Sequence, residues 1–179
     1  MPKYLIISEL SPISWGQLFY VKINVNIKEE NKMIAVSACL AGIACRYDGK
    51  DKEITKIKQM VERGEAIPFC PEVTGGLPTP RNPAEIIGGD GKDVWLGHAK
   101  VIDNKGTDVT EEYKNGARLT LIKMQELGIT QIIMKEKSPS CGSCAIYDGT
   151  FSGKIKDGTG VAAALFQMNG IKIISESAF

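Results

Sequence analysis

From residue 33 onward, short apolar runs alternate with segments whose apolar residues recur at helical spacing. The strand-like runs are residues 34–39, 66–70, 129–135 and 171–175. The helical segments between them are residues 54–64, 110–128 and 160–168. Strands joined through helices need crossover connections, which place the strands parallel in one sheet. The sequence therefore predicts an α/β fold: a single domain with a small, mostly parallel sheet flanked by helices, and a ligand crevice at the carboxyl ends of the strands.

Two segments do not fit this alternation. Residues 71–91 are rich in Gly and Pro and follow neither period, so we predict a long ordered loop, a kind of segment that usually has a functional role. Residues 93–103 have the pattern of a strand or hairpin that turns at residues 104–106. His98, the single histidine of the chain, falls in the predicted hairpin, and we interpret it as a structural strand residue rather than a catalytic one.

Residues 1–32 differ in character from the rest of the chain. Their strand-like runs are interrupted by polar residues and proline, and the segment ends in the polar cluster 28–32. Our hypothesis is that Met33 is the natural start and that residues 1–32 are an upstream translation or a loosely attached extension, so that residues 33–179 form the folded domain. The alternative is an edge hairpin made by residues 4–8 and 18–25.

Composition narrows the class of function. The chain has 179 residues with 22 Lys plus Arg against 21 Asp plus Glu, so its net charge of +1 gives no strong signal for nucleic acid or an anionic membrane. No stretch approaches the ~18 uninterrupted apolar residues of a transmembrane helix. Five cysteines are an odd number for a disulfide framework, and a chain of this length buries a full core without one. We therefore expect a protein of the reducing cytoplasm, with cysteines available for chemistry.

Three cysteines follow the ends of three predicted strands: Cys39, Cys70 and Cys141. Because the carboxyl ends of parallel strands meet at one edge of a sheet, we expect these thiols to converge there. Their spacing matches no local zinc motif. Thiolates without histidine suit an iron-sulfur cluster, and three ligands leave one iron open as a Lewis acid for substrate. The alternative is that each cysteine is simply a small buried side chain.

Two more cysteines leave other functions open. Cys141 and Cys144 have the C-x-x-C spacing of a thioredoxin-type dithiol, although no helix is predicted near them before residue 160. A thiol redox protein using Cys141 and Cys144 is therefore one alternative. A second is a small-molecule or nucleotide-binding module that a metal or cluster stabilises without catalysis. Cys45 is either a fourth ligand or a plain loop thiol.

Residues 33 to about 176 carry six motifs, which together resemble the thiouracil desulfidase family. The motifs are Val-Ser-Ala-Cys-Leu (36–40), Cys-Arg-Tyr-Asp-Gly (45–49), Phe-Cys-Pro-Glu (69–72), Gly-Gly-Leu-Pro-Thr-Pro-Arg (75–81), Pro-Ala-Glu (83–85) and Ser-Pro-Ser-Cys-Gly (138–142). The resemblance implies a 4Fe-4S cluster held by Cys39, Cys70 and Cys141. It also implies that the free iron takes sulfur, without net redox change, from a thiolated pyrimidine: thiouracil, or a thiouridine nucleoside or nucleotide. Residues 1–32 match nothing in this pattern.

The same motifs nominate Glu72 and Ser138 as catalytic residues. Glu72 would act as a general base for water or as a proton relay to the ring nitrogen, with Ser138 as an orienting hydroxyl. The alternatives are that Glu72 braces the adjacent glycine loop and that Ser138 only forms a turn with Pro139.

Three residues are candidates for substrate binding. Tyr47 would stack on a base, and Arg46 would pair with a phosphate or a carbonyl. Arg81 is a second candidate residue for binding an anion. Alternatively, Tyr47 is an aromatic residue that packs within the protein, and Arg46 and Arg81 are solvated or brace a loop. Residues 157–160, Asp-Gly-Thr-Gly, lack a full phosphate-loop pattern and are interpreted as an ordinary glycine-rich helix entry.

Overall fold

The computed structural model describes residues 33–179, so the predictions made for residues 1–32, the extension and the hairpin, lie outside the described residues. The strands in chain order are β1 (Ile34–Ser37), β2 (Ala66–Phe69), β3 (Ala84–Ile87), β4 (Lys100–Asp103), β5 (Gln131–Met134), β6 (Ala145–Tyr147), β7 (Ile155–Asp157) and β8 (Lys172–Ser175). The α-helices are α1 (Thr55–Glu62), α2 (Pro71–Thr74), α3 (Gly91–Leu96), α4 (Thr110–Glu126) and α5 (Val161–Met168). Short 3₁₀ helices occupy Ala38–Ala41 and Glu176–Ala178.

Four strands form one parallel sheet in the order β2-β1-β5-β8. Ala35 and Ile132 of neighbouring strands pack on α4 and α5, where Met124 and Phe166 are fully buried. Val36 faces the opposite side, against α1. Because both faces are covered, the central strands β1 and β5 each carry three consecutive apolar residues, as is usual for parallel sheets. The predicted α/β fold with a small parallel sheet is confirmed.

The prediction of one irregular loop over residues 71–91 is wrong. The one-turn helix α2 begins directly at Pro71, a residue that suits the first helical position because its missing N–H would have no partner there. Further on, β3 pairs antiparallel with β4, from Ala84 opposite Asp103 to Ile87 opposite Lys100. The many Gly and Pro residues of this segment match neither a helical nor a strand pattern, so α2 and β3 were not predicted. In addition, β3 depends on pairing with β4, which the local sequence does not indicate.

The predicted strand or hairpin over residues 93–103 is also wrong in its first half, which is helix α3. The Asp90 side chain accepts hydrogen bonds from the backbone N–H groups of Lys92 and Asp93, and the Asp93 side chain accepts one from Asp90 N–H. This capping box starts the helix, and the Asp-x-x-Asp spacing was its signal in the sequence. His98 therefore lies between α3 and β4 rather than in a strand. The predicted turn after residue 103 is confirmed, since Gly106 N–H donates to Asp103 O at 2.9 Å.

Residues between β5 and α5 contain a further element that the sequence did not predict, the antiparallel hairpin of β6 and β7.

Within residues 33–179, no helix combines the length and the apolar character that crossing a lipid bilayer requires.

Candidate active site

A cavity of about 580 Å³ opens at the carboxyl ends of β1, β2 and β5. Its walls come from the segments that directly follow these strands, from residues 81–85 and from the β6–β7 hairpin. The eight residues predicted for the site all line this cavity: Cys39, Arg46, Tyr47, Cys70, Glu72, Arg81, Ser138 and Cys141. The parallel sheet thus brings together residues that lie up to about 100 positions apart in the chain, as expected for the strand-end edge of an α/β sheet.

The three predicted ligand cysteines each lie after a strand, and each lies in a different kind of local structure. Cys39 lies on the 3₁₀ helix after β1, and its carbonyl accepts a hydrogen bond from Lys52 N–H at 2.9 Å. Cys70 is the residue that precedes the first turn of α2. Cys141 lies in a turn held by Ser138, whose Oγ accepts hydrogen bonds from Ser140 N–H at 3.1 Å and Cys141 N–H at 3.0 Å. Ser138 therefore shapes the turn that carries Cys141 and also lines the cavity.

The cavity contains four thiols, because Cys45 joins the three predicted ones. The Cys45 thiol interacts with the thiols of Cys39 and Cys70, and Cys70 Sγ lies 3.9 Å from Cys45 O. The contact with Cys39, together with burial, raises the pKa of Cys45 to about 11. Contact with Cys45, followed by burial, raises the pKa of Cys70, and burial raises that of Cys141 to about 12. The thiols of Cys45, Cys70 and Cys141 are therefore protonated at neutral pH unless a metal centre takes them as ligands.

The positions of the thiols around the cavity fit a polynuclear cluster. Within residues 33–179, no group of three or more Cys, His, Asp or Glu side chains is gathered tightly enough to hold one ion. The thiols instead surround the cavity from separate segments. A polynuclear iron-sulfur cluster offers a separate iron atom to each thiolate, so thiol ligands distributed around a cavity fit such a cluster. The all-sulfur donor set fits it as well, since thiolates favour soft, thiophilic centres.

Glu72 is held by a buried ion pair and a phenol. Its Oε2 accepts hydrogen bonds from Arg81 Nε at 2.9 Å, from Arg81 Nη2 and from the Tyr113 hydroxyl at 3.2 Å. The side chains of Arg81 and Glu72 are only 6% and 13% exposed. Within residues 33–179, no hydrogen bond reaches Oε1, so this second oxygen is available to a ligand or water in the cavity.

Arg81 makes contacts that match its loop-bracing interpretation. Besides Glu72, it donates hydrogen bonds to Cys45 O at 3.1 Å and Pro78 O at 3.2 Å. Burial acts to lower the pKa of Arg81, but the charge and hydrogen bonds of Glu72 outweigh it and raise the pKa. The guanidinium is therefore permanently charged and already paired within the protein. Tyr113 had no signal in the sequence beyond its place on the buried face of α4.

Arg46 and Tyr47 lie on the more open side of the same cavity. Arg46 forms a salt bridge with Asp48 at 3.3 Å, and its guanidinium carbon is 5.7 Å from the centre of the Tyr47 ring. The Tyr47 side chain is 43% exposed. Unlike the Arg81–Glu72 pair, the Arg46–Asp48 pair is partly exposed, and such pairs hold their side chains only weakly.

The sequence analysis missed the residues that the β6–β7 hairpin contributes. Tyr147 and Phe151 line the cavity, and the buried carboxylate of Glu85 accepts hydrogen bonds from Gly149 N–H and Phe151 N–H. The Asp-Gly pair at residues 148–149 was a turn signal that pointed to this hairpin. The base of the hairpin is held by Glu136, which accepts hydrogen bonds from the backbone N–H groups of Ser143, Cys144 and Ala145.

Cys144 does not belong to the cavity. Its residue is exposed, it is absent from the cavity lining, and neither Cys141 nor Cys144 is in a disulfide. A thioredoxin-type dithiol needs a thiol with a lowered pKa at a helix N-terminus, whereas burial raises the pKa of Cys141. The geometry therefore gives no support to the redox alternative.

In the glycine-rich entry to α5, the backbone N–H groups of residues 158–161 all donate hydrogen bonds within the described part of the chain, so none is left for a phosphate. The N–H groups of Gly158, Gly160 and Val161 donate to the carbonyls of Cys144, Gly142 and Pro139. These bonds fix the Cys141 turn against the start of α5. The interpretation of residues 157–160 as an ordinary helix entry agrees with these contacts.

Two glycines allow α2 to lie directly against α4. A Cβ atom at Gly116 of α4 would clash with the carbonyl oxygen of Pro71, and one at Gly75 would clash with that of Glu112. The backbones of the two helices are thus in contact. This close approach brings Glu72 of α2 next to Tyr113 of α4.

Comparison with known proteins identifies the family of the chain. The family model described as 2-thiouracil desulfurase matches residues 34–178, which places this α/β chain among the desulfurase enzymes. The chain belongs to the 2-thiouracil desulfurase family, which confirms the resemblance seen in the sequence motifs.

Two relatives place the chain within this family. It is 52% identical over 145 residues to the uncharacterized protein YbbK of Bacillus subtilis strain 168, covering 81% of this chain and 96% of that protein. It is also similar to the solved structure of the 4Fe-4S-dependent thiouracil desulfidase TudS, with 43% sequence identity and a TM-score of 0.74. That match covers 83% of this chain and 93% of the TudS chain.

Proposed function

We propose that this chain is a 4Fe-4S-dependent desulfidase that removes sulfur from a thiolated pyrimidine without net redox change. Cys39, Cys70 and Cys141 are the proposed cluster ligands. The observation that carries the proposal is that these thiols, from three different strand ends, line one cavity together with Glu72. The family and the name of the solved relative support the same cofactor and substrate class.

When bound through three cysteines, a 4Fe-4S cluster supplies an open iron, which is a Lewis acid suited to the soft sulfur of a C=S group. The protein's own contribution is to bind the pyrimidine beside it and to manage protons. Glu72 lines the cavity, and Arg81 and Tyr113 hold its Oε2 in place. Glu72 is therefore the proposed general base for the water that replaces sulfur on the ring carbon, or the relay of its proton to the ring nitrogen.

Ser138 has two roles in this proposal. Its Oγ holds the Cys141 turn through backbone N–H donors, which fixes the position of one proposed cluster ligand. Among residues 33–179 the Ser138 hydroxyl donates no hydrogen bond, and in the proposal it orients the attacking water or the substrate oxygen. Arg46 and Tyr47, at the open side of the cavity, are the proposed contacts for the rest of the substrate.

The substrate class in the proposal is a small thiolated pyrimidine: the free base, a nucleoside or a nucleotide. A net charge of +1 gives no reason to prefer a large RNA surface, since phosphate contacts dominate such binding. The reducing cytoplasm is the compartment we propose, because it keeps cysteine ligands as thiols.

The experiment that tests the proposal measures iron, acid-labile sulfide and the release of sulfide from thiouracil after anaerobic reconstitution. Cys39→Ser, Cys70→Ser and Cys141→Ser should each lose the cluster and the activity. Cys144→Ser is the matched control, since its thiol lies outside the cavity, and it should retain both. A wild-type protein that binds no iron, or one whose cluster survives all three ligand substitutions, would refute the proposal.

Cys45→Ser separates the proposed ligand set from its nearest competitor. Because the Cys45 thiol interacts with both Cys39 and Cys70, it is close enough to exchange roles with either of them. Under the proposal, Cys45→Ser keeps its iron and sulfide content. If it loses the cluster while Cys39→Ser retains it, Cys45 is the ligand from the first strand end.

A further inference from the structure

The tip of the β6–β7 hairpin, residues 148–154, places an aromatic ring in the wall of the cavity. Phe151 lines the cavity and its residue is 39% exposed. A single exposed aromatic is common on protein surfaces and needs no explanation by itself. The backbone that carries this one is unusual, however.

Phe151 adopts a left-handed backbone conformation, with φ of +57°. Residues other than glycine rarely occupy this region, and a bulky side chain there is an outlier. Close by, Gly149 has φ of +93°, and a Cβ atom at that position would lie 2.6 Å from Ile86 O. The tip is therefore pressed against β3 in a strained form, and strain of this kind persists only where the surroundings enforce it.

The group that enforces it is the carboxylate of Glu85 on β3. Glu85 is 8% exposed, and its Oε2 accepts hydrogen bonds from Gly149 N–H at 2.9 Å and from Phe151 N–H at 3.1 Å. Within residues 33–179, Glu85 forms no salt bridge, so these backbone donors are its hydrogen-bonding partners. A buried carboxylate is costly unless it is hydrogen-bonded, and here it is used to hold one residue in a strained conformation.

We propose that Phe151 is a substrate-binding residue that packs its ring against the pyrimidine, and that Glu85 is the positioning residue that holds it there. The inference rests on the proposed function, since it takes a thiolated pyrimidine as the ligand. A phenyl ring has no hydrogen-bonding group, so it recognises the flat face of the heterocycle rather than its substituents. Stacking of this kind is tolerant of ring substitution, and it fits a site that must hold the ring both before and after sulfur is lost.

The test uses reconstituted protein with matched iron content in every variant. It measures kcat and KM for sulfide release from thiouracil, and the affinity for uracil, the sulfur-free ring, by calorimetry. Phe151→Ala should raise KM and weaken uracil binding by roughly tenfold or more, the range typical of a lost base-aromatic stack, while kcat changes little. Phe151→Tyr should retain both values.

Glu85 variants test the positioning role. Glu85→Leu should reproduce the Phe151→Ala phenotype, whereas Glu85→Gln should rescue uracil affinity because its amide oxygen accepts the same two N–H groups. Ile155→Ala is the matched control, since Ile155 lies on the same hairpin, is 46% exposed and does not line the cavity. It should behave like the wild type, and equal damage from Ile155→Ala would show a general effect on the hairpin and overturn the proposal.

The outcomes separate this inference from the proposed function. If the wild type releases sulfide and Phe151→Ala leaves uracil affinity and KM unchanged, the role of Phe151 is refuted while the desulfidase function stands. If the wild type releases no sulfide but loses uracil affinity on Phe151→Ala, the desulfidase function is refuted and the ring-binding role is supported. If neither sulfide release nor uracil binding is found, both are refuted.

Discussion

The Tyr113 hydroxyl donates a hydrogen bond of 3.2 Å to Oε2 of Glu72, joining the first turn of α4 to the floor of the cavity. Burial, and next the charge of Glu72, raise the pKa of Tyr113 well above its usual value. The phenol therefore keeps its proton at any physiological pH and acts as a constant donor. Together with Arg81 it fixes one carboxylate oxygen, so the orientation of the proposed base is set by two separate elements.

Tyr113→Phe should slow sulfide release while leaving the fold intact. Arg81 still holds Glu72 in this variant, but the carboxylate gains freedom, and misplacement of a reacting group lowers kcat. We expect kcat to fall about tenfold with KM unchanged. Steady-state sulfide release with equal iron content is the measurement. An unaltered kcat would mean that Arg81 alone fixes the carboxylate.

Arg81→Met should destabilise the protein more than the double variant Arg81→Met with Glu72→Leu, which removes both charges of the buried ion pair. Taking away one partner of a buried ion pair leaves an uncompensated charge, which costs about 3–5 kcal/mol. The double variant buries no charge at this pair, so it should recover part of the lost free energy of unfolding. Thermal unfolding under anaerobic conditions compares the three proteins. A double variant that is less stable than Arg81→Met would contradict this account of the pair.

The reactivity of the five cysteines toward iodoacetamide should divide sharply in the cluster-free protein. Cys144 is exposed and should be alkylated first. Thiol contacts and burial raise the pKa of Cys45 to about 11 and burial raises that of Cys141 to about 12, so at pH 7.5 both are protonated and unreactive. Raising the pH toward 10 should accelerate these two. Peptide mass spectrometry follows each site, and fast labelling of Cys141 at pH 7.5 would count against the buried thiol cluster.

Asp90→Asn should lower stability at neutral pH but not in acid. Burial tends to raise the pKa of Asp90, but hydrogen bonds from Thr159, Lys92 and Asp93 outweigh it and lower the pKa below its usual value. A lowered pKa in the folded state means that the carboxylate stabilises the fold above the unfolded value, ~3.9, and that this stabilisation disappears as pH falls through the folded value. Because Asn is also a good helix cap, the variant loses mainly the negative charge at the helix N-terminus, and we expect a difference of about 0.3–1 kcal/mol at pH 7.

The measurement is the free energy of unfolding of the wild type and of Asp90→Asn at pH 7 and near pH 3. The gap between them should narrow in acid. A gap that stays constant across this range would show that the hydrogen bonds to Asp90 do not depend on its charge.

The sequence predicts the strand-end edge that forms the candidate site well because the signals there are local. Each strand that precedes one of these cysteines is a short, mainly apolar run, and the parallel order of the strands follows from the helices between them. The same reasoning cannot find β3, which is stabilised by pairing with β4, nor the contact of Glu85 with Phe151, 66 residues further along the chain. Cys45 was seen in the sequence, but its place among the other thiols depends on how the loop after β1 folds back over the strand ends.

The contact between Gly75 and Gly116 makes the site dependent on a missing methyl group. Alanine normally strengthens a helix relative to glycine, so position 116, in the middle of the 17-residue helix α4, looks suitable for a stabilising substitution. Here the added carbon would push α2 outward and carry Cys70 and Glu72 with it. Engineering this enzyme for heat resistance by the usual glycine-to-alanine exchange would therefore separate the proposed base from Tyr113 and displace a proposed cluster ligand in a single step.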